Sequence, residues 1–479
     1  MDHFSLLLGI VIVTALAFDF TNGFHDTANS MATTISTGAL KPTTAVAMAA
    51  SLDLVGAFLS VEVAKTISGG IVHETGLRTE VIFAALVGAI LWNLVTWLFG
   101  LPSSSSHALF GGLIGAAVMS VGWSAVNGST VVTKVLLPAA AAPLVAGLAA
   151  VLATRVTYAV GSRHGAGSSA EARPGGRDAA SKGYRAGQIA SAALVALAHG
   201  TNDAQKTMGI VTLALVTQGV LAPGSAPPVW VITAAGVAIA LGTYLGGWRI
   251  IRTLGRGLTE LSPQQGFAAQ TSAATAILTS SQLGFTLSTT QVCSGAVLGS
   301  GLGRKGSVVH WSTATRMLSA WVLTLPAAGL VGAGAELLTR HGDWGVGVTA
   351  ALLVGAALVI YLLSRRAPVD HTNVNAPTTD ADTSPGAVTT AIAAVTPPPA
   401  APRPAPAPSE AASTAPDADP VEPAPATDLD PAPTEPASGT TGPAPAGTPE
   451  PDATAEGASF TQVSAPAGPA SEPSRTAPV

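Results

Sequence analysis

Apolar stretches recur along most of the chain, broken by short polar runs. Seven are suited to membrane helices, near residues 4–20, 43–61, 81–99, 130–153, 229–247, 311–333 and 345–363. About 20 predominantly apolar residues are needed to cross a hydrocarbon core. Shorter stretches near 108–121, 186–198, 207–222, 267–279 and 292–302 predict half-helices or re-entrant arms. Glycine and other small residues run throughout, which suits close helix packing in lipid. The expected fold is therefore an all-α integral membrane protein.

The polar interruptions come in matched pairs. Residues 22–31 (NGFHDTANSM) align with 199–208 (HGTNDAQKTM), and residues 100–107 (GLPSSSSH) with 284–291 (GFTLSTTQ). The order is the same in both halves, and the separations are similar: 79 residues from Asp26 to Ser105, 86 from Asp203 to Thr289. Two matched pairs in order indicate an internal repeat. The predicted organisation is a first membrane repeat (1–160), a cytoplasmic linker (161–185), and a second repeat with a final helix (186–366). Repeat-built transporters bind substrate near the bilayer midplane, where helices are broken. Polar interruptions at that depth must line a cavity or be buried in protein. Two inverted-topology repeats fit if the linker is cytoplasmic and an arm re-enters at each serine motif.

Composition strengthens the membrane reading. Only 10% of residues are charged and the mean hydropathy is +0.46, whereas a soluble domain carries roughly a quarter charged residues. Residues 1–366 sum to +7 and residues 367–479 to −12, so the acidic balance belongs to the tail. That tail holds 25 of the 35 prolines and cannot bury enough apolar surface to fold alone, so disorder is expected there. Basic residues place the linker, Arg249, Arg252, Arg256, Arg304, Lys305, Arg365 and Arg366 on the cytoplasmic side. Cys293 is the one cysteine, so no intrachain disulfide forms. The first apolar run has almost no basic flank and leads straight into a polar motif, so it is expected to be retained.

The motifs carry two kinds of chemistry. Asp26 and Asp203 are carboxylates between apolar segments, a costly placement that usually marks function. They suit a cation or a proton, and Asn29 and Asn202 add neutral oxygens and amide donors. The bland alternative for each aspartate is a helix cap, and duplication argues against it. The serine motifs (Ser103, Ser104, Ser105, Ser106; Ser288, Thr289, Thr290) offer hydroxyl donors. If they open helices, free N–H groups and the positive dipole end would join them in an oxyanion site. Lys206 stands where the first half has Asn29, placed to salt-bridge Asp203, balance substrate charge or stand in for a cation. Lacking a lysine in its motif, Asp26 is then the expected proton carrier. His107 could donate a hydrogen bond to an oxyanion or carry a proton, or be a satisfied structural histidine. Asp19, Asp53, Glu62, Lys65 and Glu336 sit in or beside apolar stretches without an assignable role. No GxxxxGK[ST] loop, HExxH or GxSxG motif points to an enzyme.

Residues 22–29 and 199–206 resemble the paired signature of the inorganic phosphate transporter (PiT) family, and residues 101–107 its P-x-S-S/T-S/T-H motif. The resemblance covers about residues 5–363. It implies 10–12 membrane segments as two inverted repeats in the cytoplasmic membrane, and phosphate carried by symport with H⁺, or with Na⁺ in other members. Asp26, Asn29, Asn202 and Asp203 would lie at the cation site. Ser104, Ser105, Ser106, His107, Ser288, Thr289, Thr290 and Lys206 would surround the anion. The form from Asn202 to Lys206 is similar to members associated with proton coupling and metal-phosphate uptake. The partners implied are inorganic phosphate and the lipid bilayer, without nucleic acid, resident cofactor or certain metal site. A homo-oligomer is compatible with the sequence. Three positions depart from the pattern: Thr286 stands for Pro, Gln291 for His and Gln270 for Glu. A sulfate permease, an ion channel and a membrane sensor are the competing readings.

Overall fold

The computed structural model describes residues 6–70, 78–163 and 176–376. In chain order the helices are α1 (Leu6–Ser36), α2 (Pro42–Gly56), α3 (Glu62–Gly70), α4 (Thr79–Leu98), α5 (Ser105–Val121), α6 (Gly128–Thr130), α7 (Leu137–Arg163), α8 (Gly176–Thr217), α9 (Val229–Leu245), α10 (Trp248–Arg252), α11 (Pro263–Gln282), α12 (Thr289–Gly303), α13 (Trp311–Thr339) and α14 (Asp343–Ser364). π-helical turns at Val131–Leu136 and Thr253–Gly257 join α6 to α7 and extend α10. Among the described residues, the only β pairing is one isolated bridge between Thr259 and Val309. The all-α expectation is met.

Among the described residues, five helices are long and apolar enough to cross a membrane: α1, α4, the Gly128–Val160 run, α13 and α14. α9 with the following Trp248–Gly257 piece makes a sixth if that pair, bent by 60°, is one span. Length and composition therefore give fewer spans than the ten to twelve expected. α5 and α12, with 17 and 15 residues, are short. α8 is long but carries the polar motif. The outer face of α14 exposes Leu352, Val354, Leu358 and Val359. So wide an apolar surface suits lipid rather than water.

The core has two apolar clusters, and α1 and α8 each contribute to both. α1 gives Leu8, Val11, Ala15 and Phe18 to the first cluster, then Ala28, Met31 and Ile35 to the second. α8 runs the other way, giving Ala192, Val195 and Ala198 to the second cluster, then Met208, Val211 and Leu215 to the first. In each helix the crossing point is polar: Asp19, Asn22, His25 and Asp26 in α1, and His199, Asn202 and Asp203 in α8, all buried.

The halves also exchange packing partners. α5 packs on α4 and α13, as α12 packs on α11 and α7; α1 packs on α9, as α8 packs on α2. Glycines permit the closest of these approaches. A Cβ at Gly115 in α5 would lie 2.0 Å from the Gly329 carbonyl oxygen of α13. A Cβ at Gly299 in α12 would lie 2.1 Å from that of Gly147 in α7. These contacts let short helices pack backbone to backbone.

Two stretches differ from the sequence reading. Helix occupies both ends of the expected linker, because α7 runs to Arg163 and α8 starts at Gly176, while residues 164–175 lie outside the described residues. Residues 367–376, expected within the tail, fold back over α10. Arg249 donates to the Ser364 and Ala367 carbonyls, Arg252 to Asn373, and Asn375 to the Ile35 carbonyl, while Val374 is buried in the second cluster. Arginine forks and one apolar anchor hold a segment that composition alone left unplaced. Residues 377–479 of the expected disordered tail lie outside the described residues.

Candidate functional site

Both serine motifs open helices. Ser104 is the N-cap of α5, its hydroxyl accepting from the His107 N–H, and Ser288 caps α12 by accepting from the Gln291 N–H. Ser105 and Thr289 are thus the first helical residues of their elements, where backbone N–H groups lack helical partners. Their side chains point to the polar crossing of α1 and α8. Ser105 Oγ donates to Asp26 Oδ2 at 2.9 Å, and Thr290 Oγ1 to Asp26 Oδ1 at 3.1 Å. Thr289 Oγ1 lies 3.5 Å from Asp26 Oδ2 and 3.2 Å from Asp203 Oδ2, and so links the two aspartates. Ser106 Oγ donates to the Leu287 carbonyl at 3.4 Å, tying the start of α5 to the turn before α12.

Asp203 is held mainly from its own helix. Lys206 Nζ lies 2.6 Å and Asn202 Nδ2 2.7 Å from Asp203 Oδ1. Both Asp203 and Lys206 are 0% exposed, so neither charge has water to replace the other. Asn202 also donates to the Leu287 carbonyl and accepts from Ser281. Asn29 donates to Thr290 at 3.1 Å and Thr289 at 3.4 Å, with its own Oδ1 unpartnered. Lys206 and Asn29, matched by the repeat, therefore do different work: one binds a carboxylate, the other steadies hydroxyls.

Of the predicted residues, Asp26, Asn29, Asn202, Asp203, Lys206, Ser105, Thr289 and Thr290 come together in one buried network. Ser104 and Ser288 act as caps, and Ser106 faces a carbonyl. His107 lies apart from the carboxylates, with Gln291 Nε2 3.4 Å from its Nδ1. Gln291, one of the departures from the family pattern, meets the histidine that its repeat mate retains. Gln270, another departure, donates to the Ser30 carbonyl and Thr34 of α1. The hydroxyls expected around an anion donate to the carboxylates expected at a cation, so the two sets of residues meet in one place.

Four participants had no role assigned from sequence. His25 Nδ1 lies 2.6 Å from Asp26 Oδ1, with its Nε2 3.2 Å from both Thr96 and Ser103. His199 Nδ1 lies 3.0 Å from Asp53 Oδ1; its Nε2 is 3.3 Å from Asp203 Oδ2, in ion-pair range but outside hydrogen-bond geometry. Thr243 of α9 donates to Asp53 Oδ2 at 2.5 Å. Both histidines lie inside the duplicated motif, which was the available signal. Asp53 and Thr243 reach the network through contacts between helices. Donor atoms of Asp26, His199 and Asp203 lie within 4.8 Å of one another, close enough to share one cation.

Residues 22–332 match the Phosphate transporter family. The probable low-affinity inorganic phosphate transporter of Mycobacterium tuberculosis (strain ATCC 25618 / H37Rv) is 54% identical over 373 residues, covering 77% of this chain and 87% of the relative. The protein of the same description from Bacillus subtilis (strain 168) is 40% identical over 335 residues, covering 70% of this chain and 97% of the relative. A solved structure described as the sodium-dependent phosphate transporter superposes with a TM-score of 0.62 at 23% identity, covering 70% of this chain and 99% of that one. At that identity the superposition speaks for the fold. The family match spans both serine motifs and both aspartates, and near-full-length relatives share up to 54% of residues: the chain belongs to the phosphate transporter family, as a multi-pass membrane protein and not an enzyme.

Proposed function

We propose that this chain carries inorganic phosphate across the membrane by symport with protons. The observation that carries the reading is the meeting of two capped helix starts, α5 and α12, on the buried Asp26 and Asp203 beside Lys206. Helix N-termini and first-turn hydroxyls favour an oxyanion. Carboxylates at the same place favour an anion that can also donate. Phosphate near neutral pH retains a proton to give to Asp26 or Asp203, and sulfate does not. Relatives described as phosphate transporters support the same choice.

Charge explains why the anion would need company. Asp19, Asp26, Asp53 and Asp203 lie at or around the crossing with Lys206, so negative charge exceeds positive when the histidines are neutral. An anion entering such a site requires protons or cations with it. Lys206 argues for protons. Its ammonium has donors and no acceptor, and it occupies the position that Asn29 holds in the first half. A sodium ion about 4 Å away would be opposed by about 4 kcal/mol at an effective dielectric near 20. That is on the order of a thousandfold in affinity.

The two halves then act as inverted repeats rocking about a central site. The opposite passage of α1 and α8 through the two clusters supports this arrangement. Uptake of radiolabelled phosphate into proteoliposomes, challenged with unlabelled phosphate or sulfate, tests the substrate. Competition by phosphate and not by sulfate is expected. Saturable sulfate uptake that phosphate leaves untouched would contradict the reading.

A further inference from the structure

Four carboxylates lie at or around the crossing of α1 and α8, and three of them are well supplied with donors. Asp26 is met by His25, Ser105 and Thr290. Asp53 is met by His199 and Thr243. Asp203 is met by Lys206, Asn202 and Thr289. Asp19 is the exception: it is 0% exposed, and neither carboxylate oxygen has a hydrogen-bond partner.

Its surroundings contain oxygens in search of a proton. Thr207 of α8 faces Asp19 without reaching hydrogen-bond geometry, and its buried hydroxyl is otherwise unpartnered. Asn22 stands three residues along α1 and Asp26 seven, the spacing of one helix face. The Asn22 Oδ1 is also buried without a partner, while its Nδ2 lies 3.5 Å from Asp203 Oδ2. The charged and titratable groups that act on Asp19 from α8 are His199, Asp203 and Lys206. Lys206 is already spent on Asp203 at 2.6 Å. An ionised Asp19 would have no water and no donor but the Thr207 hydroxyl, which falls short of hydrogen-bond geometry, against two or three partners at each of the other carboxylates. A protonated Asp19 needs only an acceptor for its O–H, and Thr207 offers one.

We propose that Asp19 is the group that carries the coupling proton, an assignment that rests on the proton-symport reading above. Asp26, the carrier expected from sequence, is instead already engaged by His25, Ser105 and Thr290. In each cycle a proton adds to an Asp19 carboxylate oxygen on one side of the membrane. The same O–H bond breaks on the other side, so one proton is moved and nothing is oxidised or reduced. The polar face of α1 from Asp19 through Asn22 to Asp26 links that step to the phosphate site.

The test uses the full-length protein in proteoliposomes with radiolabelled phosphate. Two readouts are taken: accumulation driven by a pH gradient, and exchange of labelled for unlabelled phosphate at equal concentrations without a gradient. Asp19→Asn is expected to lose the driven accumulation and to keep exchange, and Asp19→Glu to recover accumulation. Wild-type accumulation by Asp19→Asn would overturn the assignment while leaving proton symport standing. A wild-type protein that responds to sodium and ignores the pH gradient would overturn both. Loss of exchange in both variants would show a structural role and would also overturn the assignment.

Discussion

Asp26 and Asp203 are equivalent in the repeat but not in their surroundings, and their variants should differ. Asp26 takes donors mainly from hydroxyls and His25, so Asp26→Asn is expected to abolish coupled uptake with the protein still folded. Wild-type uptake by that variant would refute the role. Asp203→Asn would leave the fully buried Lys206 ammonium without its charged partner. Breaking a buried pair from one side costs about 3–5 kcal/mol. A clear fall in thermal stability in detergent is expected for Asp203→Asn, with recovery when Lys206→Met is added. Equal stability of the two single variants would contradict this. The aspartates and hydroxyls were legible in the sequence because duplication separates them from ordinary caps. His25 and His199 were in plain view within the same motif, but their roles depend on which carboxylate each ring meets. Asp19 and Asp53 stood out as acids in apolar sequence. Nothing in one chain's order of residues showed that one has donors and the other has none.

Among elements, the short apolar stretches proved as informative as the long ones. α5 and α12 stop short of a full span, and their capped starts meet at the site. That much followed from length and from serine placed before a glycine-rich run. Their packing partners did not, since periodicity in one segment does not name the helix it will face. The approach of α12 to α7 leaves no room at Gly299 for a methyl group. Gly299→Ala is expected to destabilise the protein by about 1–3 kcal/mol, the usual cost of overpacking. Gly334→Ala in α13 meets open space and serves as the control. Thermal unfolding of both in the same detergent gives the comparison, and equal midpoints would contradict the packing account.

For the whole molecule, composition put the start of the tail at residue 367, while residues 367–376 are in contact with the helices. Residues 367–376 are tied to α10 and α1 by Arg249, Arg252, Asn375 and Val374, contacts that a proline-rich neighbourhood disguises. Ending the chain after residue 376 is expected to leave transport nearly intact, while ending it after residue 366 removes the Asn373 partner of Arg252 and the Ala367 partner of Arg249 and lowers stability. Loss of uptake in the longer truncation at unchanged membrane abundance would count against this. The central claim concerns the whole cycle: phosphate moves together with protons, Lys206 standing where a second sodium ion would otherwise bind. The direct measurement is phosphate accumulation by the purified protein in proteoliposomes, first with a pH gradient and no sodium, then with a sodium gradient at equal pH. The account predicts accumulation in the first case and none in the second, with Lys206→Asn gaining a response to sodium. Sodium-driven accumulation by the unaltered protein that ignores the pH gradient would contradict it.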